Sequence, residues 1–179
     1  MEIGESLVGA YLRHVRGCDV VLFNTHLAGE QGEIDLIGIA TVNGQQHVWL
    51  VEVTTHIRGM LYKTQEHTVA KVKEKRRRAL KFAEKTLGAA ESSFEVWSPV
   101  VPSGLVDAIV GSGITLVANK DYTNCVNELA AVAARSTATT GDDAFRMLQL
   151  LTHLRGAKPV FSLTGRQERT DFRGSQREQ

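Results

Sequence analysis

Hydrophobic positions recur along the chain with two different periods, and the switches between them mark the elements. Over residues 2–16, Ile3, Leu7, Tyr11 and Val15 recur every four positions, and Val8 and Leu12 widen the stripe, which predicts an amphipathic helix. Glu5 lies at the edge of its buried face. Residues 20–27 (VVLFNTHL) read as a strand followed by a polar AGEQG loop. Two runs, 33–42 (EIDLIGIATV) and 47–55 (HVWLVEVTT), are apolar on both faces, as strands in the middle of a covered sheet are. Asn43-Gly44 between them predicts a hairpin, because both residues tolerate the positive φ of a type I′ turn.

The helical period returns over 69–86, where Val69, Val72, Arg76, Ala79, Leu80 and Ala83 trace the inner stripe and the outer face is densely basic. A strand at 94–101 (FEVWSPVV) leads through LVDAIV and a Gly-Ser-Gly turn to a strand at 114–118 (ITLVA). Asn119 to Asp121 open a helix that ends near Arg135, STATTG is a linker, and Asp142-Asp143 cap a last helix (AFRMLQLLTHL). The order helix, three strands, helix, strand, strand, helix predicts an α/β sandwich with a central mixed sheet flanked by helices. The expected organisation is a core domain over 1–136, a linker and C-terminal helix over 137–155, and an Arg-rich flexible tail over 156–179.

Composition adds limits. With 179 residues, 42% hydrophobic and 23% charged, the chain can build a packed core and is not globally disordered. No apolar run reaches the roughly 18–20 residues of a membrane span, and the acidic first residues do not form a signal peptide. Cys18 and Cys125 give neither zinc-ligand spacing nor a disulfide framework, so a cytoplasmic setting is expected. The six histidines form no metal-binding spacing, and Trp49, Trp97 and Cys125 read as packing residues. The net charge of +1 conceals segregation. Residues 63–85 carry nine Lys/Arg against three Asp/Glu, whereas residues 1–62 carry three against seven. Such a block is either a surface that attracts anions or the solvated face of an ordinary helix.

The hairpin carries the candidate chemistry. With Asn43 and Gly44 as loop residues, cross-strand partners sum to 87, so Asp35 falls opposite Glu52 and Glu33 opposite Thr54. Opposed residues have Cβ atoms ~4.5–5.5 Å apart. Two carboxylates would then stand side by side within apolar strings, which is costly unless something compensates. A hard divalent cation does so, because Mg²⁺ takes one or two carboxylates together with water and phosphate oxygens. Protonation of one carboxyl, or a slipped register, would also relieve the cost.

These residues carry a resemblance. Gly32-Glu33-Ile34-Asp35-Leu36-Ile37, followed by Val51-Glu52-Val53-Thr54 and preceded by a helix bearing Glu5, resembles the PD-(D/E)XK nuclease superfamily, closest to its small Holliday-junction-resolvase-like families. The resemblance spans roughly residues 2–85. It implies a restriction-endonuclease-like core and phosphodiester cleavage dependent on Mg²⁺ or Mn²⁺, in DNA rather than RNA, with a homodimer or a partner protein as the expected assembly. It implies that Asp35, Glu52 and the Val53 carbonyl hold the metal, and that Glu5 touches it through water. The motif's lysine is replaced by Thr54, and its role passes by the same resemblance to Lys75 on the following helix, with Lys71 as second choice. Lys71, Lys73, Arg76, Arg77, Arg78 and Lys81 are the candidates for holding nucleic-acid phosphates. The departure at Thr54 also admits a different reading, a catalytically inactive module that binds nucleic acid or a partner protein.

Overall fold

The Asn43-Gly44 turn sets the register on which the sheet is built. Both residues have positive φ, 52° and 80°, and seven cross-strand pairs follow, from Val42 opposite Gln45 to Leu36 opposite Val51. Each pair sums to 87, as expected from the sequence. The computed structural model describes residues 2–27, 32–56, 59–89 and 91–154; the expected tail over 156–179 lies outside them.

Among the described residues, the elements are α1 (Ile3–His14), β1 (Val20–His26), β2 (Glu33–Val42), β3 (Gln45–Val53), α2 (Gln65–Leu87), β4 (Glu91–Ser98), α3 (Ser103–Val110), β5 (Thr115–Ala118), α4 (Lys120–Arg135) and α5 (Asp143–Thr152). The strands form one mixed sheet in the order β1-β2-β3-β4-β5. The first three pair antiparallel, and β4 and β5 add parallel to β3. The expected α/β architecture is therefore present. Among the described residues no helix is long and apolar enough to cross a membrane.

Two differences from the sequence reading concern the helices. The segment LVDAIV is the body of α3, whose first turn hangs on the Pro102 carbonyl, which accepts from the Leu105 and Val106 N–H groups. The basic helix begins four residues before the expected position, because Thr64 caps it by accepting from the His67 N–H at 3.2 Å.

Strand alternation sends side chains to two cores. Ile37, Val48, Leu50, Phe94 and Val96 pack beneath α2 and α3, against Val72, Ala79, Ala83, Leu105 and Ile109. Leu36, Ala40, Val51 and Trp97 face α1 and α4, against Val8, Leu12 and Tyr122. On this second side Glu95, buried, accepts from Arg16 at 2.9 Å and from the Trp97 indole N–H at 2.8 Å. Phe145 of α5 is buried with Ala10, Leu129 and Ala133, while Arg13 and His14 of α1 both reach Asp142, at 2.7 and 2.9 Å.

The first turn of α1 meets the end of β3. Gly4 lies so close to Thr55 that a Cβ there would overlap Thr55 Cγ2 and stand 2.7 Å from its Oγ1. Gly4→Ala is therefore expected to push the 54–55 segment aside and lower stability by about 1–3 kcal/mol. Gly141→Ala, where a Cβ meets nothing within 4 Å, should change it by less than about 0.5 kcal/mol. Urea midpoints of the two variants check this; equal midpoints would mean that α1 does not set the position of β3's end.

Candidate metal centre

One step beyond the last registered pair of β2 and β3, the ladder gives way to side chains. Asp35 continues the face of Ile37 and Ile39, and Glu52 continues that of Val48 and Leu50, so both carboxylates point towards α2. Both are buried, at 8% and 6% exposure. Asp35 Oδ2 accepts from the Val53 N–H at 2.7 Å, so the aspartate closes the hairpin where backbone pairing stops. The Val53 N–H thus reaches the site.

Across from them, α2 presents a matching interruption. Its buried positions are Thr68, Val72, Ala79 and Ala83, and the inward position between Val72 and Ala79 falls at 75 and 76. Lys75 fills it, and its Nζ contacts Glu52 Oε1. Arg76, which the sequence places on the inner stripe, is half-buried, as Lys75 is.

Burial governs the electrostatics. It pushes the Glu52 carboxyl up to about 7, the Asp35 charge adds to the rise, and the Lys75 and Lys71 ammoniums oppose it. Burial raises Asp35 as well, against the Val53 N–H and Lys75, while Glu5 and Glu33 add to the rise. Lys75 loses solvation on burial, yet Glu52 and Asp35 outweigh that loss and hold it above the ordinary lysine range.

The remaining expected residues distribute around this pair. Glu5 is half-buried, and its Oε2 accepts from the Glu2 N–H at 3.0 Å in a capping box; its charge reaches Asp35. Thr54 is buried, and its N–H donates to the Trp97 carbonyl at 2.9 Å. The expected Glu33–Thr54 pairing is not formed. Below Leu36, β2 stays with β1, where Glu33 faces His26, while the chain after β3 turns to β4. Lys71 places its Nζ 3.8 Å over the Tyr62 ring. Arg77 grips Glu74 at 2.7 and 2.9 Å, and Lys73 and Lys81 are exposed.

The backbone explains a glycine. Gly32 has φ 119°, a conformation that favours glycine, immediately before the strand that carries Asp35, and it lies close to Arg78, whose Nη1 would stand 2.8 Å from a Cβ there.

The donor set fits one divalent cation. Two carboxylates on one face, raised by burial, supply hard oxygen donors of the kind Mg²⁺ and Mn²⁺ prefer. Among the described residues no group of three or more His, Cys, Asp or Glu forms a cation cage. Water and substrate oxygens would complete the coordination, as is usual for Mg²⁺. Comparison of the chain with family models, with curated proteins and with solved structures finds no match in any of the three.

The raised Glu52 carboxyl fixes the sign of a pH effect. The folded chain binds this proton more tightly than the unfolded one, so the contribution is full below pH 4.5 and is lost as pH rises through about 7. In EDTA, urea unfolding of the wild type should lose about 3 kcal/mol more between pH 4.5 and 7.5 than that of Glu52→Gln. Lys75→Met should destabilise most at pH 8, by about 2–3 kcal/mol, because it strands an ionised Glu52, and much less at pH 5. Parallel stability curves for all three proteins would contradict this electrostatic picture.

Proposed function

We propose that the chain is a metal-dependent nuclease with a restriction-endonuclease-like core, hydrolysing phosphodiester bonds in DNA with Mg²⁺ or Mn²⁺ held by Asp35 and Glu52. One observation carries the reading: two carboxylates are kept buried side by side on a covered sheet, against an ammonium from a basic helix. Packing gives no reason for them, since apolar residues of similar volume in place of buried charges are often neutral or stabilising. Their position at the carboxyl end of β3, which runs parallel to β4 and β5, is also where open α/β sheets bind ligands.

A bound cation would supply Lewis-acid stabilisation of charge on the phosphoryl oxygens and lower the pKa of a coordinated water. The rest belongs to the chain. Asp35 and Glu52 are the ligands, and the Val53 N–H fixes the Asp35 carboxylate at 2.7 Å. Lys75 brings the positive charge that Thr54 cannot, for holding the attacking water or stabilising the developing oxyanion. Lys71 and Arg78, one turn either side of Lys75, would hold flanking phosphates in a salt-sensitive, sequence-independent way.

A second reading is favoured by Thr54 itself. A chain without the motif's lysine would serve as an inactive module that binds nucleic acid or a partner protein.

Incubation with Mg²⁺ or Mn²⁺ and supercoiled, linear, branched and single-stranded DNA, with RNA alongside, separates the two. Cleavage should fall by about 10³-fold or more in Asp35→Ala and Glu52→Ala, and by roughly 10²–10³-fold in Lys75→Met. Adding Thr54→Lys to Lys75→Met should recover part of the loss. Absence of cleavage on every substrate, with binding to nucleic acid retained, would leave the inactive module.

A further inference from the structure

The cation that meets Glu52 in this structure is the chain's own. Lys75 Nζ contacts Glu52 Oε1, and its charge is also felt at Asp35, so one ammonium serves both carboxylates. A divalent ion held by the same two groups would bring a second positive charge to the same oxygens. We propose that the Lys75 ammonium is the counter-ion of the metal-free site and leaves Glu52 when a divalent cation loads, so that metal binding and lysine release are one exchange. This rests on the reading of Asp35 and Glu52 as cation ligands.

Three features make the exchange possible. Glu52 is nearly sealed, with its side chain 7% exposed, whereas the Lys75 side chain is 25% exposed and has a path outward. Lysine is a flexible stem with a compact, strongly hydrated head, so it gives up one carboxylate at little cost when another cation replaces it. Lys71, one turn earlier, is engaged by the Tyr62 ring at 3.8 Å rather than by a carboxylate; it contributes a steady field and stays in place. The consequence is regulatory. In the metal-free chain the lysine is withheld by its bond to Glu52, and loading the cation frees it for water or a phosphate oxygen. An empty site would neither bind a phosphate through Lys75 nor cut.

Calorimetric titration with Mn²⁺ alone, at one pH and without nucleic acid, tests the exchange. If the ion pair must open first, apparent affinity is reduced by the fraction of sites already open. Lys75→Met keeps the stem and removes the ammonium, and Lys75→Gln checks the result should Lys75→Met fold poorly by circular dichroism. Either should bind Mn²⁺ roughly tenfold or more tighter than wild type, and adding Glu52→Gln should abolish the gain. Lys71→Met removes the same charge without touching Glu52 and should change affinity by less than about threefold. Equal or weaker Mn²⁺ binding in the Lys75 variants, or an equal gain in Lys71→Met, would overturn the exchange while leaving the metal site standing. No Mn²⁺ binding in any of the proteins would overturn both the exchange and the nuclease reading. Binding by the Lys75 variants alone would also overturn the exchange, because the wild-type lysine would then bar the cation and not yield to it.

Discussion

The contact between Lys75 and Glu52 joins two interruptions, one in a sheet and one in a helix, and the rest of the site depends on it. The face of β2 and β3 beneath α2 is apolar through Ile37, Ile39, Val48 and Leu50, then breaks at Asp35 and Glu52. The inward stripe of α2 is Thr68, Val72, Ala79 and Ala83, and it breaks at Lys75. Because the two breaks coincide, α2 can lie over the sheet without burying an uncompensated charge. A buried pair of this kind is weak as a source of stability but costly to break from one side. The register of the hairpin and the phase of the helix are therefore tied together at a single point.

The supports of that point come from all sides of the sheet. The Val53 N–H, two residues past the last pair of β2 and β3, holds Asp35. Gly32 turns the chain into β2 beneath Arg78, and Gly4 of α1 lies against Thr55. Buried Glu95, with Arg16 and Trp97, anchors β4 on the opposite face. The first three fix backbone within three residues of Asp35 or Glu52, and the last fixes the strand beside β3, so the carboxylates themselves are held in place.

The hairpin was legible in the sequence because a two-residue Asn-Gly turn dictates its own register, and alternation then assigns every side chain to a face. That is why Asp35 and Glu52 could be placed together from residue types alone. The Glu33–Thr54 pairing failed for a reason that no local pattern contains: Glu33 stays opposite His26 of β1, and Thr54 donates to Trp97 of β4, so each takes its other neighbour. The Val53 N–H was equally hidden, since a backbone donor has no letter in the sequence. On α2, periodicity could not choose between adjacent Lys75 and Arg76. Its apolar residues begin at Val69, so the Thr64 cap and the buried Thr68 gave no hydrophobic signal. In α3, eight mostly apolar residues that bury Leu105 and Ile109 suit a short helix or strand equally well until the Pro102 carbonyl is seen to start the turn.

We propose that Asp35 and Glu52 are held together for a cation, and anomalous diffraction from crystals grown with and without Mn²⁺ tests this most directly. A single anomalous peak in contact with both carboxylates, roughly 2.1–2.2 Å from their oxygens, with Lys75 moved off Glu52, is the expected result. An intact Lys75–Glu52 contact at saturating Mn²⁺, with no peak between the two acids, would contradict it and make the pair a structural bond between helix and sheet.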